Sequence, residues 1–352
     1  MPSLTSSLPF SPAELAYLHT SLSSIPPIRP DARASATDFR PLHAETGVLP
    51  SVNGSAHVGF SDGREAIVGV KLEVERTVQN TTRFISKPDG DEDGAGAMDL
   101  DNATTKAASS GKGRQEWITL SLTLPGLRDD DANLVFLEEM LREPLVVGGG
   151  LQDSLVINAR WHWHIYIDVL LISPNGLASY PLPLLSTAMH LALRDTRVPR
   201  LKSEGEEDPV ADDDWMASRY LYSRSGGSTK PPVTLLVVVV GENVIFDPSR
   251  EELVVADAVV AVSVSQTERE EMRVLAVRMI DTPARDTMRG VPLAGEAGEG
   301  VDVPGVWKPR LGGVKRSVLK AVVKGVIAGG VAGDVMSGLD GFVSLEGNAA
   351  VG

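Results

Sequence analysis

Residues 155–173 read LVINARWHWHIYIDVLLIS, the longest extended stretch of the chain. From position 161 onward its residues alternate between two faces, and this period of two predicts a β-strand. Trp161 and Trp163 lie on the face predicted to be core, whereas His162 and His164 lie on the other face at a spacing that suits a metal ion. Because the chain has no cysteine and its other four of six histidines are scattered, we expect a packed or interface face here and no metal site.

The segments on either side of this strand predict an α+β fold with mixed sheets packed against helices. Ser11 caps a short helix, and an Asp-Gly turn at 61–64 joins two strands as a hairpin. Asp131 opens a second helix that Pro144 stops, and a third helix covers 184–194. The remaining predicted strands cover 117–124, 234–240, 243–246, 256–265 and 273–280, and one closing helix covers 314–336.

The predicted domain organisation follows from these elements. Residues 1–27 form an N-terminal helical extension, and residues 28–340 form one domain in two halves, about 28–150 and 151–340. Residues 86–115 contain almost no large apolar side chain, so we expect a disordered insertion there. Residues 341–352 are expected to be a tail.

Composition excludes several classes of function. The formal net charge of −14 argues against a chain that wraps a nucleic acid by itself, because phosphate binding needs clustered lysine and arginine. The absence of cysteine excludes a thiolate zinc site and a cysteine nucleophile. The most membrane-like stretch, 317–332, is short and carries two lysines, so we expect no spanning helix.

The order of several weak motifs resembles that of a known family, the ribonuclease PH-like ring subunits of the eukaryotic RNA exosome. The likeness spans roughly residues 11–340. The matching segments are IRPDAR at 28–33, FRPL at 39–42, NGSA at 53–56, IVGVK at 67–71, IYIDVL at 165–170 and FDPSREE at 246–252.

This resemblance implies a subunit of a hexameric ring of related proteins that is capped by three RNA-binding proteins. RNA threads through the central pore of such a ring. It also implies residence in the nucleus, nucleolus and cytoplasm, with roles in ribosomal RNA maturation and RNA turnover. Active members of the family bind orthophosphate and cleave an RNA 3′ end by phosphorolysis.

The groups that phosphorolysis requires are incomplete in this sequence. In active members a phosphate loop with an arginine follows the long strand, but residues 173–179 read SPNGLAS, which keeps Gly176 and has no arginine. Asp247 occupies the first of two acidic positions, and no matching second aspartate follows. The resemblance therefore implies a non-catalytic subunit with Gly176 and Asp247 as vestigial positions, no catalytic residue and no cofactor.

Four basic residues are the candidates for RNA contact. Arg142 is the only arginine in the helix where active members carry a pair, and Arg197, Arg200 and Lys202 follow the helix 184–194 and could line a basic rim. Two alternatives remain at this point. One is an active phosphate-dependent 3′-to-5′ exoribonuclease, and the other is a different paralogue in the same ring.

Overall fold

The computed structural model describes residues 10–77, 113–172, 180–224, 228–280 and 314–349. Most of the predicted insertion, 86–112, and the predicted vestigial loop 173–179 with Gly176 lie outside the described residues. The prediction placed the end of the insertion too late, because Gln115–Trp117 forms a 3₁₀ turn that buries Trp117. Within the described ranges, no helix combines the length and the apolar content that crossing a membrane requires.

The first sheet has five strands in the order β1-β2-β3-β5-β4. Its strands are β1 (Leu42–Thr46), β2 (Gly54–Phe60), β3 (Glu65–Arg76), β4 (Ile118–Thr123) and β5 (Trp161–Leu171). The predicted hairpin is confirmed between β2 and β3, where Gly63 adopts the positive φ of +81° that the turn requires. The strands β4 and β5 pair in parallel, whereas the other described pairs of this sheet are antiparallel, so the sheet is mixed as expected.

The second sheet has four antiparallel strands in the order β11-β10-β8-β9. They are β8 (Val233–Val240), β9 (Asn243–Phe246), β10 (Ala258–Gln266) and β11 (Met272–Ile280). Every residue of β8 is buried, which explains why its sequence is apolar at every position except Thr234 and does not alternate. A separate pair of two-residue strands, β6 (Arg197–Val198) and β7 (Arg219–Tyr220), lies outside both sheets.

Helices cover and connect the two sheets. They are α1 (Pro12–Ser23), α2 (Ala132–Val147), α3 (Gly150–Ser154), α4 (Leu182–Asp195), α5 (Arg250–Val254), α6 (Arg316–Ile327) and α7 (Val331–Ala349). The helix α1 packs on α5 and β8, α2 packs on β4 and β11, and α7 packs on β1 and α4. The α+β class is thereby confirmed.

The helix α4 joins the two sheets into one core. It contacts β2 and β3 on one side and β8 on the other. Nearly all of its residues are buried, including the polar side chains of Ser186, His190 and Arg194. The Ser186 hydroxyl accepts a hydrogen bond of 2.7 Å from the Thr234 backbone N–H, which ties α4 directly to β8.

Three predicted boundaries are wrong for local reasons. The extended stretch becomes a strand only at Trp161, because the Asn158 side chain accepts from the backbone N–H groups of Arg160 and Trp161, both at 2.9 Å, and forms a turn. The helix α2 passes through Pro144 to Val147, because burial of Leu145 in the core outweighs the lost hydrogen bond. The predicted closing helix is two helices, α6 and α7, separated at Gly330 with a φ of +79°.

Other differences from the predicted organisation have no clear signal in the sequence. The strand β1 and the short helices α3 and α5 were not predicted. The predicted division at 150/151 assigns β5 to the second half. In the structure β5 pairs with β3 and β4 and therefore belongs to the first sheet. The predicted limit at residue 340 falls inside α7, which continues to Ala349.

Candidate functional site

Two segments far apart in sequence, 28–40 and 246–252, meet in a cluster of buried charges. We call it the arginine cluster, and it consists of Arg29, Arg33, Arg40, Asp247 and Glu252. Both segments were named among the motifs of the sequence, but the sequence did not show that they touch. Hydrogen bonds between residues more than 200 positions apart hold the start of the domain against the second sheet.

Arg29 and Glu252 form the inner part of the arginine cluster. The Arg29 Nε and Nη2 atoms donate to the two carboxylate oxygens of Glu252 at 2.7 and 2.8 Å, and both side chains are fully buried. The same guanidinium donates to the backbone carbonyls of Phe246 and Asp247 at 3.1 Å. Glu252 also accepts from the Ser249 N–H at 2.7 Å and so caps α5. This bidentate pair fixes the entry of the domain to α5.

Asp247 forms the outer part of the arginine cluster. Its carboxylate accepts from the Arg40 backbone N–H at 2.8 Å, from Arg40 Nε at 2.9 Å and Nη2 at 2.5 Å, and from Arg33 Nη1 at 3.2 Å. The residue is only 3% exposed and has a φ of +46°, which an aspartate adopts at a conformational cost. The sequence singled out Asp247 as a vestigial acid, and in the structure its oxygens are occupied by arginine.

The electrostatics of this region favour the charged forms. Burial by itself lowers the pKa of Arg40, but the hydrogen bonds and charges of Asp247 and Asp62 outweigh it and raise the pKa above its usual value. Burial by itself raises the pKa of Asp62, but Arg64 and Arg40 outweigh it and hold the pKa of Asp62 below its usual range. Arg40 and Asp62 are therefore both held in their charged forms.

A cavity of about 400 Å³ lies beside Asp247, between α4, α7 and the two sheets. Arg40 and Asp247 line one wall, and Thr187, Phe60 and Leu339 contribute to the rest. An acid that is to hold a metal ion or move a proton needs a free oxygen. The Asp247 oxygens already accept from Arg33 and Arg40, so this carboxylate is engaged in ion pairs.

The four predicted RNA-contact residues differ in the partners that they have within the chain. Arg142 lies on α2, within 3.7 Å of Glu139, and donates to the Gln115 carbonyl at 3.3 Å. Lys202 lies 3.2 Å from Asp212 and 3.7 Å from Asp213, in the acidic loop that follows it. Both charges are therefore compensated within the chain.

Arg197 and Arg200 lie in the same short segment as Lys202. Arg197 Nη2 donates to the Tyr220 hydroxyl at 2.7 Å, and its guanidinium stacks 4.7 Å above the Tyr220 ring. Arg224 lies 4.1 Å from the same ring, which adds a second cation. Arg200 is exposed. The structure thus brings Arg197, Arg200 and Lys202 together on one segment, and none of the described contacts tests their predicted role.

The paired histidines have a neighbour that the sequence did not indicate. Glu75 lies opposite His162 in the β3–β5 register, and Glu73 lies opposite His164. Burial lowers the pKa of His162 and favours its neutral ring. The core prediction for this strand is confirmed for Trp163, whereas Trp161 is only half-buried. Strand register cannot be obtained from sequence spacing alone, which is why Glu75 was missed.

Comparison with known proteins places the chain in a family. Residues 38–199 match the model of the 3′ exoribonuclease (RNase PH) family, domain 1. Exosome complex component RRP42 of Saccharomyces cerevisiae is 31% identical over 249 residues, which cover 70% of this chain and 78% of the relative. Exosome complex component rrp42 of Schizosaccharomyces pombe is 28% identical over 265 residues, with 71% and 77% covered.

A solved chain from an Archaeoglobus fulgidus exosome with RNA bound to the active site is 19% identical, with a TM-score of 0.49, and the match covers 76% of this chain and 87% of that one. The motifs predicted a likeness to the fungal form of ribosomal RNA-processing protein 42, and the two fungal relatives agree with this likeness. The chain therefore belongs to the RNase PH family, in the group of Rrp42-like exosome components.

Proposed function

We propose that this chain is a non-catalytic subunit of the core ring of an RNA exosome. In that position it supports 3′-to-5′ processing and degradation of RNA, including maturation of ribosomal RNA. The observation that carries the proposal is the 31% identity, over most of both chains, to a protein that is an exosome complex component.

The loss of catalysis is supported by the geometry around Asp247. Phosphorolysis needs an acidic group near the leaving oxygen or a metal ion, and donors that neutralise the attacking phosphate. The Asp247 carboxylate is buried and already accepts from Arg33 and Arg40. The sequence of residues 173–179 also offers no arginine to a phosphate. In this proposal Asp247 stabilises the fold through its ion pairs and takes no part in catalysis.

The proposed partners are other RNase PH-like ring subunits and RNA-binding cap subunits, with RNA threaded through the shared pore. The proposed locations are the nucleus, nucleolus and cytoplasm. A ring subunit needs only a few basic groups at the pore, since the neighbouring subunits share the RNA. This agrees with a net charge of −14 and with the small set of candidates Arg142, Arg197, Arg200 and Lys202.

An assay for the release of nucleoside diphosphates from a 3′-labelled RNA tests whether the chain has phosphorolytic activity. The purified chain is incubated with orthophosphate and Mg²⁺, alone and in the purified exosome, beside an active phosphorolytic ribonuclease as the positive control. We expect no phosphate-dependent release of nucleoside diphosphates from the chain alone, whereas nucleases attached to the ring in the complex release nucleoside monophosphates by hydrolysis, without orthophosphate. Phosphate-dependent shortening by the chain alone would support an active exoribonuclease instead.

A further inference from the structure

Three side chains at one end of the first sheet converge on a common point. They are Glu75 on β3 and His162 and His164 on β5, and one possible ligand atom from each lies within 4.8 Å of the other two. His164 Nδ1 lies 3.0 Å from Glu75 Oε2, and His162 Nε2 lies 3.9 Å from the same oxygen. Ligands of a tetrahedral zinc ion are about 3.4 Å apart, given metal–ligand distances near 2.1 Å. The observed separations are close to this value.

The nitrogen of each imidazole that faces away from Glu75 has a partner of its own. His162 Nδ1 lies 2.9 Å from the Thr77 hydroxyl, and His164 Nε2 lies 2.9 Å from the Thr119 hydroxyl. When each ring donates its N–H to a threonine oxygen, the other nitrogen presents its lone pair toward Glu75. Outer partners of this kind fix the tautomer and the orientation of metal-binding histidines.

The remaining contacts hold the three side chains in place. The Tyr166 hydroxyl donates to Glu75 Oε1 at 2.9 Å, which leaves Oε2 on the side of the histidines. The His162 ring stacks on Trp117 with centroids 4.2 Å apart, and the His164 ring stacks on Tyr166 at 4.4 Å. The two histidine side chains are 5% and 12% exposed, and that of Glu75 is 40% exposed. The site is therefore ordered on the histidine side and open on the carboxylate side.

We propose that Glu75, His162 and His164 form a binding site for a divalent transition-metal ion of the zinc type, with a fourth position open to water. Two imidazoles and one carboxylate are a donor set that suits zinc. Binding through His164 Nδ1 requires the tautomer in which Nε2 carries the ring hydrogen and donates it to Thr119, so the ion takes the place of the hydrogen bond between His164 Nδ1 and Glu75 Oε2. The bound ion would link β3 to β5 across the register pair of Glu75 and His162. This is a structural role beyond the proposed ring function.

A second group of possible ligands serves as the matched control. His43, His57 and Glu65 also lie within 4.8 Å of one another, but His43 is exposed and its ring meets His57 edge-on at 5.7 Å. His57→Gln therefore removes a histidine from the same face of the same sheet without touching the proposed site.

The test is Co²⁺ titration of the full chain, purified with an affinity tag that lacks histidine and treated with chelator. Visible absorption reports four-coordinate Co²⁺, calorimetry gives the stoichiometry, and Zn²⁺ should displace the Co²⁺. We expect His164→Gln and Glu75→Gln each to lose one equivalent of bound ion that His57→Gln retains. Thr119→Val, which keeps all three ligands, should weaken binding by about 10- to 100-fold.

Circular dichroism of the metal-free variants shows whether each variant is folded, so that loss of a ligand can be told from loss of the fold. Zn²⁺ should raise the melting temperature of the parent chain and of His57→Gln but not of Glu75→Gln. The proposal is overturned if the folded parent chain binds no Co²⁺, or if folded His164→Gln and Glu75→Gln bind it with the stoichiometry and affinity of the parent. In either case the three side chains form only a hydrogen-bond network.

Discussion

At the scale of single residues, the ion pairs of the arginine cluster connect segments that are far apart in the sequence. Glu252 pairs with Arg29 where both side chains are fully buried, and the buried Asp247 pairs with Arg33 and Arg40, whose side chains are 10% and 9% exposed. Removing one member of a buried pair leaves the other charge without compensation, which costs far more than the net value of the pair. The sequence showed these residues as motifs, but their partners could be assigned only when the fold was known.

The prediction for the inner pair concerns Glu252→Gln. We expect it to lower the free energy of unfolding by about 3–5 kcal/mol, because Arg29 keeps its charge in a buried site. The control is Glu251→Gln on the same helix, whose half-buried carboxylate lies outside the cluster, and we expect a change within about 0.5 kcal/mol. Urea unfolding monitored by fluorescence measures both. Equal stability of the two variants would contradict the role assigned to the pair.

His190 gives the stability a pH dependence. Its ring is fully buried in α4, and its Nδ1 donates to the Pro231 carbonyl at 2.9 Å. Burial and the charge of Arg194 lower the pKa of His190 to about 4, against the smaller opposing effects of that hydrogen bond and Asp340. The unfolded chain binds the proton near pH 6.5. The folded state therefore loses stability as the pH falls from about 6.5 to about 4, and this group has no effect above that window.

The expected slope from His190 is about 1.4 kcal/mol per pH unit inside this window. In His190→Asn the side-chain amide can still donate to the Pro231 carbonyl, but the titration is absent. The difference in unfolding free energy between the parent and this variant should thus shift by about 3 kcal/mol in favour of the variant between pH 7 and pH 4. Denaturant unfolding at several pH values measures it, and a constant difference would refute the assignment.

At the scale of elements, the sequence predicted those whose signal is local. The capping box at Ser11 predicted α1 and the Asp-Gly turn at Gly63 predicted the hairpin, since the hydrogen-bond partners lie four residues or fewer apart. The strand β1 was missed because its burial depends on β2 and α7, which pack on it from elsewhere in the chain. The helix α2 shows the opposite case, in which core packing overrides the signal of Pro144.

The break between α6 and α7 makes a prediction for Gly330. Its φ of +79° is costly for any residue with a Cβ, so Gly330→Ala should destabilise the protein by about 1 kcal/mol. Gly341 is exposed inside α7 and has open space around it, so Gly341→Ala should instead stabilise by about 0.5–1 kcal/mol. Thermal unfolding of the two variants compares a turn glycine with a helix glycine. A stabilising effect of Gly330→Ala would mean that α6 and α7 form one continuous helix.

At the scale of the whole molecule, the order of weak motifs predicted the family, while the site required the structure. The α+β class and the assignment to Rrp42-like proteins followed from segments spread over most of the chain. The saturation of Asp247 by Arg33 and Arg40 joins positions 214 and 207 residues apart, so no local pattern could show it. The RNA contacts of Arg142, Arg197, Arg200 and Lys202 remain predictions, because they depend on neighbours that a single chain does not contain.

The central claim is membership of a ring, and native mass spectrometry of the affinity-tagged chain purified from its own cells tests it most directly. We predict one particle that contains this chain in single copy with five related ring subunits and three cap subunits. A free chain, or a homo-oligomer of this chain alone, would contradict the proposed function.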